Sequence, residues 1–212
     1  MDENEVHVLI SIPTREEIHA QTVGWLLNAT KIAKDIGYKV TVQILQSPYP
    51  IEMQRNNQVK NFLDSEEYTH LFLLDSDCVP QQLTIEKLLD YDLDVVASVA
   101  GALINGVHCI TAATRVAPED VVDGKEYLFP YSEDKTKTDL EEVDAVGATG
   151  VLIKRHVIEA LEPPYFEVIY NEDGTSVNLG EDYYFCQKIK EAGFKIFADF
   201  GLRQNHYKTV AI

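Results

Sequence analysis

The sequence predicts an α/β fold in which a central, mostly parallel sheet is flanked by helices. Two apolar runs, Val6–Pro13 and Leu71–Leu74, have no polar alternation, which is typical of strands that are buried on both faces. Segments with helical spacing separate the predicted strands, and this β-α-β order implies parallel strands joined by right-handed crossovers. The 212 residues fit one domain that buries about 70% of its unfolded surface.

The first half of the chain is predicted to alternate strands and helices. Apolar residues between Ile18 and Ile36 recur at helical spacing, and Gly37 is a suitable helix stop. The predicted elements are a strand at 6–13, a helix at 16–36, a strand at 38–45, a helix at 51–64, the Leu71 strand, a helix at 83–91 and a strand at 95–103.

The pattern weakens between residues 104 and 142 and returns at Val143. Short β-like pieces at 108–116 and 126–129 indicate edge strands or an insertion, because no second core-sized apolar pattern is present. Beyond them we expect a strand at 143–153 interrupted by Gly147 and Gly150, a helix at 154–161, a loop at 165–179, a helix at 181–192 and a last strand at 194–200.

Composition narrows the classes of partner. The chain is 45% hydrophobic and 25% charged, as in ordinary globular enzymes, but its net charge is -17. Such a charge repels nucleic acid and anionic lipid, so we expect no nucleic-acid partner. A phosphate-bearing ligand would need a metal ion or local Arg and Lys side chains.

The cysteines and the N-terminus predict a cytoplasmic protein. Cys78, Cys109 and Cys186 are odd in number and lie far apart, so we expect reduced thiols. The first 13 residues have no basic region and too short an apolar run for a signal peptide or a transmembrane segment.

Two aspartates follow the Leu71 strand. Asp75 and Asp77 are two residues apart and can point to one place beyond the carboxyl end of the strand, where open α/β sheets hold ligands. Two carboxylates suit a divalent cation that also binds phosphate. The alternative is a polar turn in which Asp77 caps the helix after Pro80.

A second group of polar residues lies near the end of the chain. Glu181 and Asp182 fall in the first turn of a predicted helix, where the helix dipole alone favours carboxylates. His206 follows the last predicted strand and has no obvious packing role.

The order of these motifs resembles that of the GT-A fold glycosyltransferases, particularly compact single-domain members such as the family 2 enzymes and small virus-encoded relatives. The resemblance spans nearly the whole chain, 1–212, and is weakest at 104–142. Its residues are the SIPT strand end, Gln54-Arg55-Asn56, LLDSD, VGATGVLIKR, GEDYYFCQKIKEAGFKI and His206.

The resemblance implies roles for the acidic residues. In that family the D-x-D aspartates bind a divalent metal that holds the diphosphate of a nucleotide sugar, which implies this role for Asp75 and Asp77. The acidic pair at a helix start lies by the acceptor and often supplies the base, which points to Asp182 and then to Glu181. A late histidine completes the metal shell in some members, and His206 matches it.

Donor contacts are expected near the aspartates. Pro13, Thr14 and Arg15 at the end of the first strand, Arg55, and Ser76 between the aspartates are the candidates. Solvated surface charge and a plain turn are the alternative interpretation of Thr14, Arg15 and Arg55. The expected nucleotide-binding half is 1–103, and 104–212 is expected to bind the acceptor and complete the metal site.

The implied reaction is hexosyl transfer from a nucleotide sugar to a hydroxyl of a carbohydrate, lipid-linked or protein acceptor. Mn²⁺ or Mg²⁺ would stabilise the leaving diphosphate, and carboxylates with an imidazole favour manganese somewhat. The acceptor hydroxyl needs a base, and Asp182 in that role makes inversion the preferred stereochemistry. Residues 163–179, with Tyr165, Phe166 and Tyr170, are predicted to form a mobile flap over the substrates.

Two other functions remain possible from the sequence. Leu73–Val79 also matches the nucleophile motif of haloacid-dehalogenase-like phosphatases, with Asp75 as nucleophile and Asp77 as acid and base. However, that motif normally opens its domain, whereas two β-α units precede it here. A non-catalytic protein that binds nucleotide sugars is the third hypothesis.

Overall fold

A computed structural model describes residues 5–104, 107–115, 119, 127–128 and 138–207. Its helices are α1 Ala20–Ile36, α2 Ile51–Leu63, α3 Thr84–Asp90, α4 Arg155–Glu159 and α5 Glu181–Glu191. Its strands are β1 His7–Thr14, β2 Lys39–Gln46, β3 His70–Leu73, β4 Cys78–Val79, β5 Val95–Ile104, β6 Val107–Ile110, β7 Thr114–Arg115, β8 Tyr127–Leu128, β9 Leu140–Val143, β10 Val151–Lys154, β11 Ile169–Tyr170, β12 Val177–Leu179 and β13 Ile196–His206.

The predicted mostly parallel sheet is present, with helices on both faces. Within the described residues its strands follow the order β2-β1-β3-β10-β5-β13-β4, with β6 beside β5 and β9 beside β13. The β1–β2, β1–β3 and β5–β13 pairs are parallel. Strand β10 lies antiparallel between β3 and β5, so the sheet is not parallel throughout as the β-α-β pattern implied.

Strand β3 is buried on both faces, as its apolar run predicted. Leu71 and Leu73 pack in one core cluster with side chains of α2 and α5. Phe72 and Leu74 point the other way and pack with side chains of α1 and α3. Because each face of the sheet meets helices, the strand has no position that favours a polar side chain.

The predicted strand at 143–153 is wrong. The segment divides into the end of β9, a bend and β10, and the two strands pair with different neighbours. The bend requires glycine at position 150. Its φ is +70°, and a Cβ atom there would lie 2.1 Å from Nε2 of Gln204 and 2.3 Å from Oγ of Ser98.

Two boundaries near the site also differ from the prediction. Helix α1 begins at Ala20 rather than at residue 16, because the Thr14 hydroxyl donates to the Glu17 carbonyl (2.6 Å) and the His19 N–H donates to the Ser76 carbonyl (2.9 Å). Strand β13 continues to His206, beyond its predicted end at 200, after a register shift between Asp199 and Arg203. His206 therefore belongs to the last strand.

The weakly patterned region is described only in part. The predicted strand at 108–116 is two strands, β6 and β7, and the piece predicted at 126–129 is represented by β8. Residues 116–118, 120–126 and 129–137 lie outside the described residues. None of the helices in the described part of the chain combines the length and apolar character that crossing a bilayer requires.

Candidate active site

All the residues nominated from the sequence line one open cavity of about 680 Å³ at the carboxyl ends of β1 and β3. They are Pro13, Thr14, Arg15, Arg55, Asp75, Ser76, Asp77, Glu181, Asp182 and His206. The cavity lies where the strand order places the ends of sequence-distant strands side by side, as expected for an open α/β sheet.

Antiparallel pairing of β4 with β13 brings His206 to Asp77. His206 is the register partner of Cys78, and its Nε2 lies 3.3 Å from Oδ2 of Asp77. The other ring nitrogen, Nδ1, donates to the Gly101 carbonyl at 2.9 Å. This bond fixes the ring orientation and leaves Nε2 facing the carboxylate, which is the arrangement of many metal-binding histidines.

Cys78 is the third potential ligand here, and it was not predicted because the cysteines lack metal-ligand spacing. Ligand atoms of Asp77, Cys78 and His206 lie within 4.8 Å of one another. Burial raises the pKa of the Cys78 thiol, so the sulfur is protonated and is a poor ligand next to the carboxylate and imidazole.

Asp75 is not part of that group of three. Its Oδ1 accepts a hydrogen bond from the Nη2 group of Arg55, whose side chain is only 3% exposed. Arg55 also donates to Gln58 (3.1 Å), and Gln58 donates to the Ser11 hydroxyl (3.1 Å). A buried chain of polar groups therefore holds the Asp75 carboxylate in one orientation.

The aspartates do lie in a turn, closed by the Cys78 N–H donating to the Asp75 carbonyl at 3.2 Å, but the predicted capping role of Asp77 is wrong. Helix α3 starts at Thr84 after Leu83, so Asp77 does not cap it. The Asp75 N–H donates outside this turn, to the Thr149 hydroxyl at 3.0 Å. Thr149, from the bend before β10, is a site residue that the sequence did not single out.

Asp182 is held at the start of α5 in an environment that favours its protonated form. Gly180 occupies the capping position, and Oδ1 of Asp182 accepts the local N–H of Tyr183 at 2.9 Å. Burial, followed by the charge of Glu181, raises the pKa of Asp182 to about 7. A carboxyl group with this pKa can take up or release a proton near neutral pH.

The rim at the end of β1 presents one exposed cation. Arg15 is exposed to solvent at the cavity. Thr14 is buried, and its hydroxyl donates to the Glu17 carbonyl. Gln54 lies deeper, with its amide nitrogen donating to the carbonyls of Tyr49 (2.8 Å) and Ser47 (3.3 Å).

Comparison with solved structures identifies the fold. No protein-family model matches the sequence, and no curated protein matches it either. The A197 protein from STIV aligns with a TM-score of 0.64 and 20% identity over 96% of this chain and 87% of that chain. GalNAc-T7, solved with UDP, GalNAc and Mn²⁺, aligns with a TM-score of 0.61 and 15% identity over 99% of this chain.

This chain has the fold of a compact GT-A glycosyltransferase, as the sequence resemblance implied. It spans 44% of the length of GalNAc-T7 and most of the length of the STIV protein, so its size is that of the smaller neighbour.

Proposed function

We propose that the protein is a metal-dependent glycosyltransferase that moves a hexosyl group from a nucleoside-diphosphate sugar to a hydroxyl acceptor with inversion. The observation that carries the proposal is that three groups line one cavity of about 680 Å³. They are the Asp77–His206 pair, which can bind a cation, the Asp75 carboxylate paired with Arg55, and the Asp182 carboxyl group, whose pKa is raised. The neighbour GalNAc-T7 was solved with UDP, GalNAc and Mn²⁺, which agrees with this substrate class.

Asp77 and His206 fit a divalent cation. Their nearest oxygen and nitrogen are 3.3 Å apart, and the bond from Nδ1 to Gly101 leaves Nε2 able to act as a ligand. Bound Mn²⁺ or Mg²⁺ would supply positive charge that stabilises the departing diphosphate. Asp75 would also face the cation or the donor, with its carboxylate held by Arg55. Asp77 would be the main carboxylate ligand, and any contact of Asp75 with the cation would be weaker.

Asp182 is the proposed base and Glu181 the second candidate. With a pKa of about 7 the Asp182 carboxylate is ionised in a useful fraction at neutral pH and can accept the proton of an attacking hydroxyl. Glu181 raises that pKa by its charge and therefore contributes even without contacting the acceptor.

The donor would lie along residues 1–103 and the acceptor along residues 104–212. Pro13, Thr14 and Ser76 line the cavity with Arg15, which supplies an exposed positive charge for the nucleotide. Arg55 was expected to contact the donor, but its burial and its bond to Asp75 favour an indirect role.

The phosphatase hypothesis has little support. A nucleophilic Asp75 would have to attack phosphate with Oδ2, because Oδ1 accepts the hydrogen bond of Arg55. The matched fold is also that of glycosyltransferases. A non-catalytic nucleotide-sugar binder differs from the proposal only in turnover, and the experiment below separates the two.

The test is a hydrolysis and transfer screen with UDP sugars and other nucleotide sugars in the presence of Mn²⁺. Release of nucleoside diphosphate by the parent, and its loss in Asp77→Asn, is the expected result. Thermal stabilisation by nucleoside diphosphate and Mn²⁺ should disappear in the same variant; in the parent it amounts to about 2.7 kcal/mol at a hundredfold excess over Kd. Binding without turnover would assign the binder function, and phosphate release from phosphomonoesters would assign the phosphatase.

A further inference from the structure

The aspartate loop, residues 75–79, is held by groups from two distant parts of the chain. Three consecutive carbonyls of the loop each accept a hydrogen bond from outside it. These bonds run from the His19 N–H to Ser76 (2.9 Å), from the Tyr207 N–H to Asp77 (2.8 Å) and from the Thr22 hydroxyl to Cys78 (3.1 Å).

Two of these donors belong to residues whose rings are in contact. The His19 imidazole and the Tyr207 phenol stack with centroids 4.2 Å apart and an interplanar angle of 14°. The Tyr207 hydroxyl also bonds the Gln21 side chain in α1. The segment before α1 and the residue after β13 are thereby joined directly over the loop.

This contact has consequences for both proposed cation ligands. Tyr207 follows His206 in sequence, and its N–H fixes the carbonyl of Asp77. A shift of Tyr207 would therefore move the imidazole and the carboxylate relative to each other. The 3.3 Å separation of the two side chains therefore depends on the position of Tyr207. A cation requires both ligands at once, so a change in this separation would weaken its binding.

We propose that His19 and Tyr207 form an aromatic clasp that positions the aspartate loop for divalent-cation binding. The proposal deepens the proposed function and rests on it. Both are positioning residues: neither is assigned to the cation or to substrate. Stacked aromatic pairs of this kind contribute about 0.5–1.5 kcal/mol beyond buried area, which corresponds to a change of about two- to twelvefold in cation affinity if the loop must be ordered to bind.

The test compares variants that remove a ring with variants that keep it. Tyr207→Leu and His19→Leu abolish the stack, whereas Tyr207→Phe and His19→Phe retain two rings. Tyr91→Leu is the matched control, since it removes a partly exposed tyrosine that bonds Asp199 away from the loop. Each protein is measured by amide hydrogen exchange without metal and by titration with Mn²⁺.

Faster exchange at the His19 amide and in residues 75–79 is expected in both Leu variants, together with a two- to twelvefold loss of Mn²⁺ affinity. The Phe variants and Tyr91→Leu should match the parent in both measurements. Parent-like exchange and affinity in the Leu variants would overturn the clasp. If the parent binds no Mn²⁺, the proposed metal dependence and the role of the clasp in cation binding both fail. The exchange data then still show whether the rings order the loop.

Discussion

The Asp182 side chain is the residue on which the proposed chemistry depends most directly. Asp182→Asn keeps the size of the side chain and an oxygen that can accept the Tyr183 N–H, but it removes the proton acceptor. We expect sugar transfer to fall at least about 100-fold while donor binding is retained. Glu181→Gln is the matched variant and should lose less, because adjacent helix positions face about 100° apart. Parent-like transfer in both variants would remove the pair from the chemistry.

The same residue predicts two pH effects of opposite direction. The pKa of Asp182 is about 7 in the folded protein against an ordinary value of 3.8, so the folded state holds this proton more tightly than the unfolded state. Its contribution to the free energy of unfolding therefore falls as pH rises from about 4 to about 7. The transfer rate should rise through the same upper range as the base becomes ionised.

Asp182→Asn removes a charge that is costly to bury, so the variant should be more stable than the parent at pH 8. We expect a gain of only about 1 kcal/mol in the free energy of unfolding, because part of the residue faces the open cavity. The two proteins should have similar stability near pH 4. Urea unfolding at both pH values, beside rate profiles from pH 5 to 9, measures these effects; a parent rate that is flat across neutrality would contradict the assignment of the base.

His206 gives a third prediction at this scale. Its pKa is raised above the ordinary 6.5, chiefly by the hydrogen bond with Asp77, so a cation must displace a proton in mildly acidic solution. Mn²⁺ affinity should therefore weaken as pH falls, and His206→Ala should bind more weakly with a shallower pH dependence. Isothermal titration between pH 5.5 and 8 measures it. Identical affinities in variant and parent at each pH would place His206 outside the metal site.

Among the elements, the bend before β10 makes the sharpest demand on side-chain size. Gly150→Ala would place a methyl group against Ser98 and Gln204 at a residue with φ of +70°, so we expect a loss of about 2–4 kcal/mol in the free energy of unfolding. Gly24→Ala on α1 is the matched control, because nothing lies within 4 Å of its added Cβ and alanine favours the helix. Equal stability of both variants in urea unfolding would contradict this account of the bend.

The segment predicted as a flap is a hairpin with a fixed base. Phe166 is 1% exposed and stacks on Phe185 with centroids 4.2 Å apart, so it belongs to the core and not to a mobile flap as predicted. Asn56 accepts the N–H groups of Tyr165 and Phe166. Movement is therefore expected only beyond Phe166, in the hairpin of β11 and β12 that carries Tyr170, which is 57% exposed.

This hairpin should be protected by substrate. Donor and Mn²⁺ together are expected to slow proteolytic cleavage between residues 167 and 179, since lids of this kind close over bound ligand. Cleavage followed by mass spectrometry, with Asp77→Asn as the variant that should not respond, measures the effect. Equal rates with and without ligand in the parent would indicate a static hairpin.

Over the whole molecule, the predictions that were correct concern elements whose residues show a local pattern, such as an apolar run or helical spacing. The runs of β1 and β3 are apolar because both faces of each strand are covered, and the positions of α2 and α5 follow from helical spacing, so these elements and the residues at their ends were predictable. Asp75, Asp77, Glu181 and Asp182 lie at such ends.

Features that depend on distant pairing were not predictable. Strand β10 is apolar like a parallel strand, and nothing in its own residues indicates that it inserts antiparallel between β3 and β5. The Cys78 sulfur and the aromatic clasp belong to the site because β13 and the segment before α1 meet over the aspartate loop. Thr149 belongs to it because β10 pairs with β3. Such contacts depend on topology rather than on spacing.

The fixed base of the hairpin has a consequence for how this protein can diverge. Tyr170 and Val177 pair across the two strands and are exposed, while the segment is tied to α2 through Asn56 at one end and runs into α5 at the other. Replacing or lengthening the tip between them would change the surface that the proposed acceptor is expected to meet and leave the frame of the cavity in place. Under the proposed function, we therefore expect that acceptor preference can be exchanged by recombination or by loop grafting without changing the residues proposed to bind the donor.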